Sequence, residues 1–206
     1  MPKDTFFNLP DEKKQRVIDA AIDEFAERSY HDARVTAIAD QAGIAKGSFY
    51  QYFEDKEDLF RYIIDMIAEK KLAYINQDLL ENIEAHTFFE VLRELYASGI
   101  RFAQEDPRLM AIGMQLASNQ ALYYGISIDY MEQSYEFFRA LLEKGMDAGE
   151  LDPAIDINIA SRLLTMVGYS SLELIFEDGK LDQDDMAIVD DIIYIMKNGL
   201  KSKAER

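Results

Sequence analysis

The chain of 206 residues has no cysteine, which excludes disulfides, thiolate metal sites and a thiol nucleophile. Histidine is nearly absent, and His31 and His86 lie far apart, so no HExxH-type metal pair exists; a glycine-rich phosphate loop is missing as well. An enzyme would have little to work with, and no catalytic residue, metal or cofactor is expected. No apolar run approaches the length of a membrane span, and Met1-Pro2-Lys3-Asp4 lacks the apolar core of a signal peptide. A soluble cytoplasmic protein without a membrane partner is the expectation. Strand-like alternation, internal repeats and low-complexity tracts are also lacking, so the fold class reads as all-α. Basic charge is in deficit: the net charge is −17, with 22 Lys and Arg against 39 Asp and Glu. Phosphate binding needs Lys and Arg, so a nucleic-acid surface here must rest on their local placement.

What is present centres on Thr36 to Leu59. Ile38, Ala39 and Ala42 give a short helix a small apolar face. Gly43 supplies the left-handed residue that stops it, and Ile44 plugs the corner. A second short helix starts near Lys46 and carries Phe49 and Phe53 inward, while Lys46, Gly47, Ser48, Tyr50, Gln51 and Tyr52 occupy its other face. Two helices, a tight glycine turn and a polar, aromatic outer face make a helix-turn-helix whose second helix suits a major groove.

The run Ile38-Ala39-x-x-Ala42-Gly43-Ile44-x-Lys46-Gly47-Ser48-Phe49-Tyr50-x-Tyr52-Phe53-x-x-Lys56-Glu57-x-Leu59 resembles the signature of the TetR (tetracycline-repressor) family of bacterial transcriptional regulators. Small, glycine, aromatic and charged positions fall in register without a gap across roughly the first sixty residues. The resemblance implies a three-helix DNA-binding domain at 1–54, a connecting helix at 55–80 and a helical ligand-binding and dimerisation domain at 81–206. It implies a ligand-responsive regulator, most often a repressor, that binds a palindromic operator in double-stranded DNA as a homodimer and is released by a small lipophilic effector. The alternative is a helical interaction module of the same fold that binds a protein partner. Under the first reading Thr36, Lys46, Gly47, Ser48 and Gln51 face base edges, since Lys and Gln can hydrogen-bond purines and Gly47 permits close approach. Arg34, Tyr50, Tyr52 and Lys56 would then hold phosphates and set register.

Two positions depart from the pattern. Ser29 stands where most relatives have Gly, and Asp32-Ala33-Arg34-Val35 lacks the Ser or Thr that usually caps the second helix. Residues 1–60 carry 8 Lys and Arg against 13 Asp and Glu, net −5, which leaves −12 for the remainder. Asp19, Asp23, Glu24 and Glu27 read as a solvated face.

Helices are expected from Asp11 to about Arg28, Asp55 to Leu80, Thr87 to Glu105, Arg108 to Asn119, Ile128 to Ala148, Ile155 to Phe176 and Asp184 to Lys201. Helical spacing of Ile18, Ala21, Ile22 and Phe25 marks the core face of the first. The C-terminal part is rich in Tyr, Phe and Met, a composition that permits an effector pocket, which the resemblance implies. Its candidate lining is Tyr96, Met110, Met114 and Phe137, with Tyr123, Tyr124, Met166 and Tyr169. The last two helices are apolar over too broad an arc for one partner, so Leu172, Ile175, Phe176, Ile188, Ile192, Ile195 and Met196 are candidates for a four-helix dimer interface.

Overall fold

The computed structural model describes residues 1–118, 120–175 and 185–199, apart from the side chains at 80, 117, 118, 120–124, 127–129, 169–175 and 185. Among the described residues the regular elements are all helical: α1 Asp4–Phe7, α2 Asp11–Glu27, α3 Val35–Ala42, α4 Lys46–Tyr52, α5 Lys56–Ala73, α6 Gln77–Glu81, α7 Phe88–Glu105, α8 Pro107–Ser118, α9 Gln120–Asp147, α10 Ile157–Ile175 and α11 Asp185–Asn198, with a 3-10 turn at Ile83–Ala85. No helix among the described residues is long and apolar enough to cross a membrane. Two compact units form: Met1–Leu72 with Glu105–Ile126, and Ala73–Gln104 with Ser127–Arg206.

The first unit is built on α2. Its stripe Ile18, Ala21, Ile22 and Phe25 is buried, as the i, i+3, i+4, i+7 spacing requires. Ile38, Ala39 and Ala42 of α3 and Phe49 of α4 are buried with it, together with Phe53 and, on α5, Leu59, Phe60 and Ile63. Phe25 meets Phe60 edge-on at 4.9 Å, and Phe49 and Phe53 stand 5.4 Å apart. Covering each such ring contributes about 2–3 kcal/mol. The short α1 escaped the sequence reading because four residues show no period. Its Phe6 is fully buried, with ring centroids 4.8 Å from Phe53 and 5.5 Å from Tyr62.

In the second unit α7 is buried all round from Tyr96 to Ile100. Phe138, Leu141 and Leu142 of α9, Leu164 of α10 and Val189 of α11 are covered as well, and α10 packs on α11.

Three helix boundaries depart from expectation for local reasons. The helix expected to reach Leu80 stops at Ala73. The Asn76 side chain accepts from the Asp78 amide at 3.0 Å and starts α6 instead. α9 begins at Gln120, well before Ile128; one exposed glycine, Gly125, costs only about 1 kcal/mol in so long a helix. α10 starts at Ile157 because Asp156 accepts from the Asn158 and Ile159 amides at 2.9 and 3.1 Å. Phe176 and Lys201 lie outside the described residues.

Candidate nucleic-acid interface

The corner between α3 and α4 is set by Gly43, whose φ of 67° is left-handed. The Ile44 amide reaches the Ala39 carbonyl at 2.9 Å and the Gly43 amide the Asp40 carbonyl at 3.2 Å, the paired closure of a Schellman turn. α4 then exposes Lys46, Gly47, Tyr50 and Gln51, with Ser48 half-buried, while Phe49 points into the core. Thr36 and Arg34 at the start of α3 are also exposed. The expected base-reading set thus lies on accessible positions of α3 and α4. A β-carbon added at Gly47 would meet nothing within 4 Å. The fold therefore does not require glycine there, although a helical glycine costs about 0.5–1 kcal/mol relative to alanine.

The end of α4 is held from the N-terminal side. The Lys3 amide donates to the Tyr52 carbonyl at 2.8 Å and its ammonium to the Tyr50 carbonyl at 3.1 Å. The Thr5 hydroxyl donates to the Gln51 carbonyl. These are the carbonyls that a helix end leaves without an intrahelical partner, so α1 serves as a brace for the reading helix.

The loop leading into α3 solves the missing cap with groups from other helices. Arg34 makes no side-chain cap, but its amide donates to Glu24 Oε1 at 2.9 Å. Glu24 is only 6% exposed, so it does not belong to a solvated face as its charge suggested. The signal was present: Glu24 follows Val17 and Ala21 at helical spacing and extends the buried arc of α2. Asp23 is likewise engaged, accepting from Gln41 of α3 at 2.6 Å and from Arg108 of α8 at 2.6 Å. Ser29 does its work through its side chain: its hydroxyl donates to the Asp32 carboxylate at 2.8 Å, and it accepts from the Asp32 amide at 3.3 Å.

Two expected phosphate contacts are placed differently by the structure. Tyr52 does not show on the outer face; it is 6% exposed, and its ring centroid lies 6.3 Å from that of Phe6. One turn of helix past Phe49, the i+3 position falls on the core side once α1 has packed there. Lys56 turns its ammonium inward to the carbonyls of Tyr30, His31 and Ala33 at 2.6, 3.1 and 2.9 Å. That uses all three of its hydrogens. Sequence spacing gave no sign of this, because the acceptors are main-chain atoms of a loop more than twenty residues earlier.

The sequence profile described as "Bacterial regulatory proteins, tetR family" matches residues 17–63, which span α2 to α5. A solved TetR family transcriptional regulator from Chloroflexus aurantiacus is 30% identical; the likeness covers 98% of this chain and 100% of that one, with a TM-score of 0.73. The chain belongs to the TetR family. This TetR-family chain is a transcriptional regulator and not an enzyme. Among its relatives is the fatty acid metabolism regulator protein of Bacillus subtilis, 27% identical over 93% of this chain and 97% of that protein. The structure of the regulator FadR from Bacillus subtilis in complex with stearoyl-CoA is 26% identical, covering 91% and 99% of the two chains, with a TM-score of 0.72.

The residues expected to line an effector pocket in this TetR-family regulator divide. Tyr96 and Met110 are buried, and Met114 and Phe137 are half-buried. Met166 is 59% exposed and is no part of the interior: it follows Ile159 and Leu163 at helical spacing, and all three form an outward apolar stripe on α10. The side chains of Tyr123, Tyr124 and Tyr169 lie outside the described residues, as do those of Leu172 and Ile175. Of the remaining interface candidates, Ile195 is exposed, and Ile188, Ile192 and Met196 are half-buried.

Proposed function

We propose that this regulator is a repressor that binds a roughly palindromic operator as a homodimer and releases it on binding a long-chain acyl thioester. The observation that carries the effector class is the likeness, over nearly the whole chain, to a regulator solved with stearoyl-CoA. The repressor sense follows the family's habit, and a relative matched over 48% of this chain and 44% of its own length is a probable acrEF/envCD operon repressor of Escherichia coli.

On the DNA side, Lys46, Gly47, Ser48, Gln51 and Thr36 read base edges while Arg34 and Tyr50 contact phosphates. With so few cations per reading head, affinity depends on two heads acting together, about 34–36 Å apart on successive major grooves. The pairing surface is the stripe of Ile159, Leu163 and Met166 on α10 with Tyr194 and Ile195 of α11, large apolar side chains exposed on two helices that pack on each other. The effector binds in the helical region at 81–206 and acts only through its different affinity for the DNA-competent and incompetent arrangements. A cytoplasmic location follows from that role.

The test is selection of binding sites from random duplex DNA at low salt, followed by titration of the selected site with stearoyl-CoA. A palindromic consensus released by micromolar stearoyl-CoA is expected. Absence of any preferred site would leave the protein-binding module as the better reading. Leu163→Glu is expected to shift the protein from dimer to monomer in sedimentation and to abolish operator binding.

A further inference from the structure

In the second unit one buried polar group is unanswered among the described residues. Tyr96 of α7 is 7% exposed, and its hydroxyl has no hydrogen-bond partner among the described residues. A buried phenol normally finds a partner, because the hydroxyl loses water on burial and gains nothing in return if left alone. The surroundings are dry enough to push the Tyr96 hydroxyl well above its usual titration range.

A glycine of α10 stands beside the ring. The Cε1 edge of the ring stands 3.5 Å from the place a β-carbon at Gly168 of α10 would take. Thr165 and Ser161 precede Gly168 on the same face of α10, at i, i+4 and i+7 spacing. Both are buried, at 3% and 2% exposure. Their hydroxyls are committed within their own helix, Ser161 to the Asn158 carbonyl at 3.2 Å and Thr165 to the Ser161 carbonyl at 3.0 Å. Among the described residues these two buried hydroxyls are satisfied locally, whereas the phenol is left with its proton unused.

We propose that the Tyr96 hydroxyl donates a hydrogen bond to the acyl carbonyl oxygen of the effector, whose chain lies along the Ser161–Thr165–Gly168 face of α10. This rests on the acyl-thioester reading above. The chemistry selects that atom. A phenol proton needs an acceptor, and the apolar part of a saturated acyl thioester offers a single oxygen. The phosphates of the carrier are too strongly hydrated to enter a dry seam, and a free carboxylate would have to lose its water there. A neutral carbonyl meets neither obstacle.

The experiment measures binding of stearoyl-CoA, its S-octadecyl thioether analogue without the carbonyl, and stearate to the full chain and to Tyr96→Phe by calorimetry. The wild type is expected to bind the thioester about tenfold more tightly than the thioether and stearate. Tyr96→Phe is expected to bind thioester and thioether alike, at the wild type's affinity for the thioether. Without ligand, Tyr96→Phe should melt at or above the wild-type temperature, since it removes an unanswered polar group. A Tyr96→Phe protein that keeps the wild-type preference for the thioester overturns the assignment, as does a wild type that binds thioester and thioether equally. Preference for stearate would overturn it in favour of the carboxylate. A lower melting temperature of unliganded Tyr96→Phe would show that the hydroxyl already has a partner, and would also overturn it. If the wild type binds no stearoyl-CoA, the acyl-thioester reading fails and this inference fails with it.

Discussion

Lys56→Met separates an internal anchor from a DNA contact. Methionine keeps most of the stem and removes the ammonium, which reaches the carbonyls of Tyr30, His31 and Ala33 and lies 4.7 Å from the centroid of the Tyr30 ring. The bonds to Tyr30 and Ala33 are partly buried, whereas water can replace the ammonium at His31. Leaving two partly buried carbonyls unanswered costs about 1 kcal/mol each, and the lost cation–π contact about 0.5 kcal/mol more. The loss of roughly 2–3 kcal/mol corresponds to a fall in melting temperature of about 5–10 °C for a chain of this size. Operator affinity should fall as well, because the loosened loop carries Arg34 into α3. The salt dependence of that affinity should not change, since no phosphate contact has been removed. A phosphate-binding lysine behaves otherwise: its removal lowers the slope of log affinity against log salt by about 0.9 per phosphate. Melting within about 1 °C of wild type, equivalent to about 0.3 kcal/mol, together with a reduced slope, would refute the reasoning.

Other perturbations test the remaining elements of the reading head. Gly47→Ala meets open space and should stabilise the unbound protein by about 0.5–1 kcal/mol in urea unfolding, while operator binding weakens by at least about tenfold if DNA backbone or bases approach that position. Glu24→Ala leaves the Arg34 amide without its buried acceptor and should cost about 1–2 kcal/mol, with Glu24→Gln restoring most of the loss. Arg108→Gln removes the hydrogen bond that is the main reason the Asp106 carboxyl is held below its ordinary 3.8. A carboxyl depressed in the folded state contributes stability that is present above its unfolded pKa and is lost as pH falls through the folded value. The difference in urea midpoint between wild type and Arg108→Gln should therefore be present at pH 7 and shrink as pH drops below about 3.8. It should amount to less than about 1 kcal/mol, because the pair is partly exposed.

The all-α class and the helix-turn-helix were legible in the chain by itself, because both rest on local rules. Helical period placed Ile18, Ala21, Ile22 and Phe25 in the core, and one glycine at the only corner with the right neighbours placed the turn at Gly43. The accessible positions of Lys46, Gly47, Tyr50 and Gln51 followed from the same geometry. Tertiary structure decided what depends on partners distant in sequence. Charge suggested solvent for Glu24 and the family resemblance implied phosphate for Lys56, yet each is spent on the main chain of the loop between α2 and α3, because an extended loop offers amides and carbonyls that neighbouring helices must answer. Tyr52 is buried because a four-residue helix without a readable period brings Phe6 against it. Met166 and Tyr96 have similarly apolar surroundings in sequence, but one faces out and the other in. That difference depends on which arc of α10 and of α7 is covered by other helices, and local sequence does not specify it.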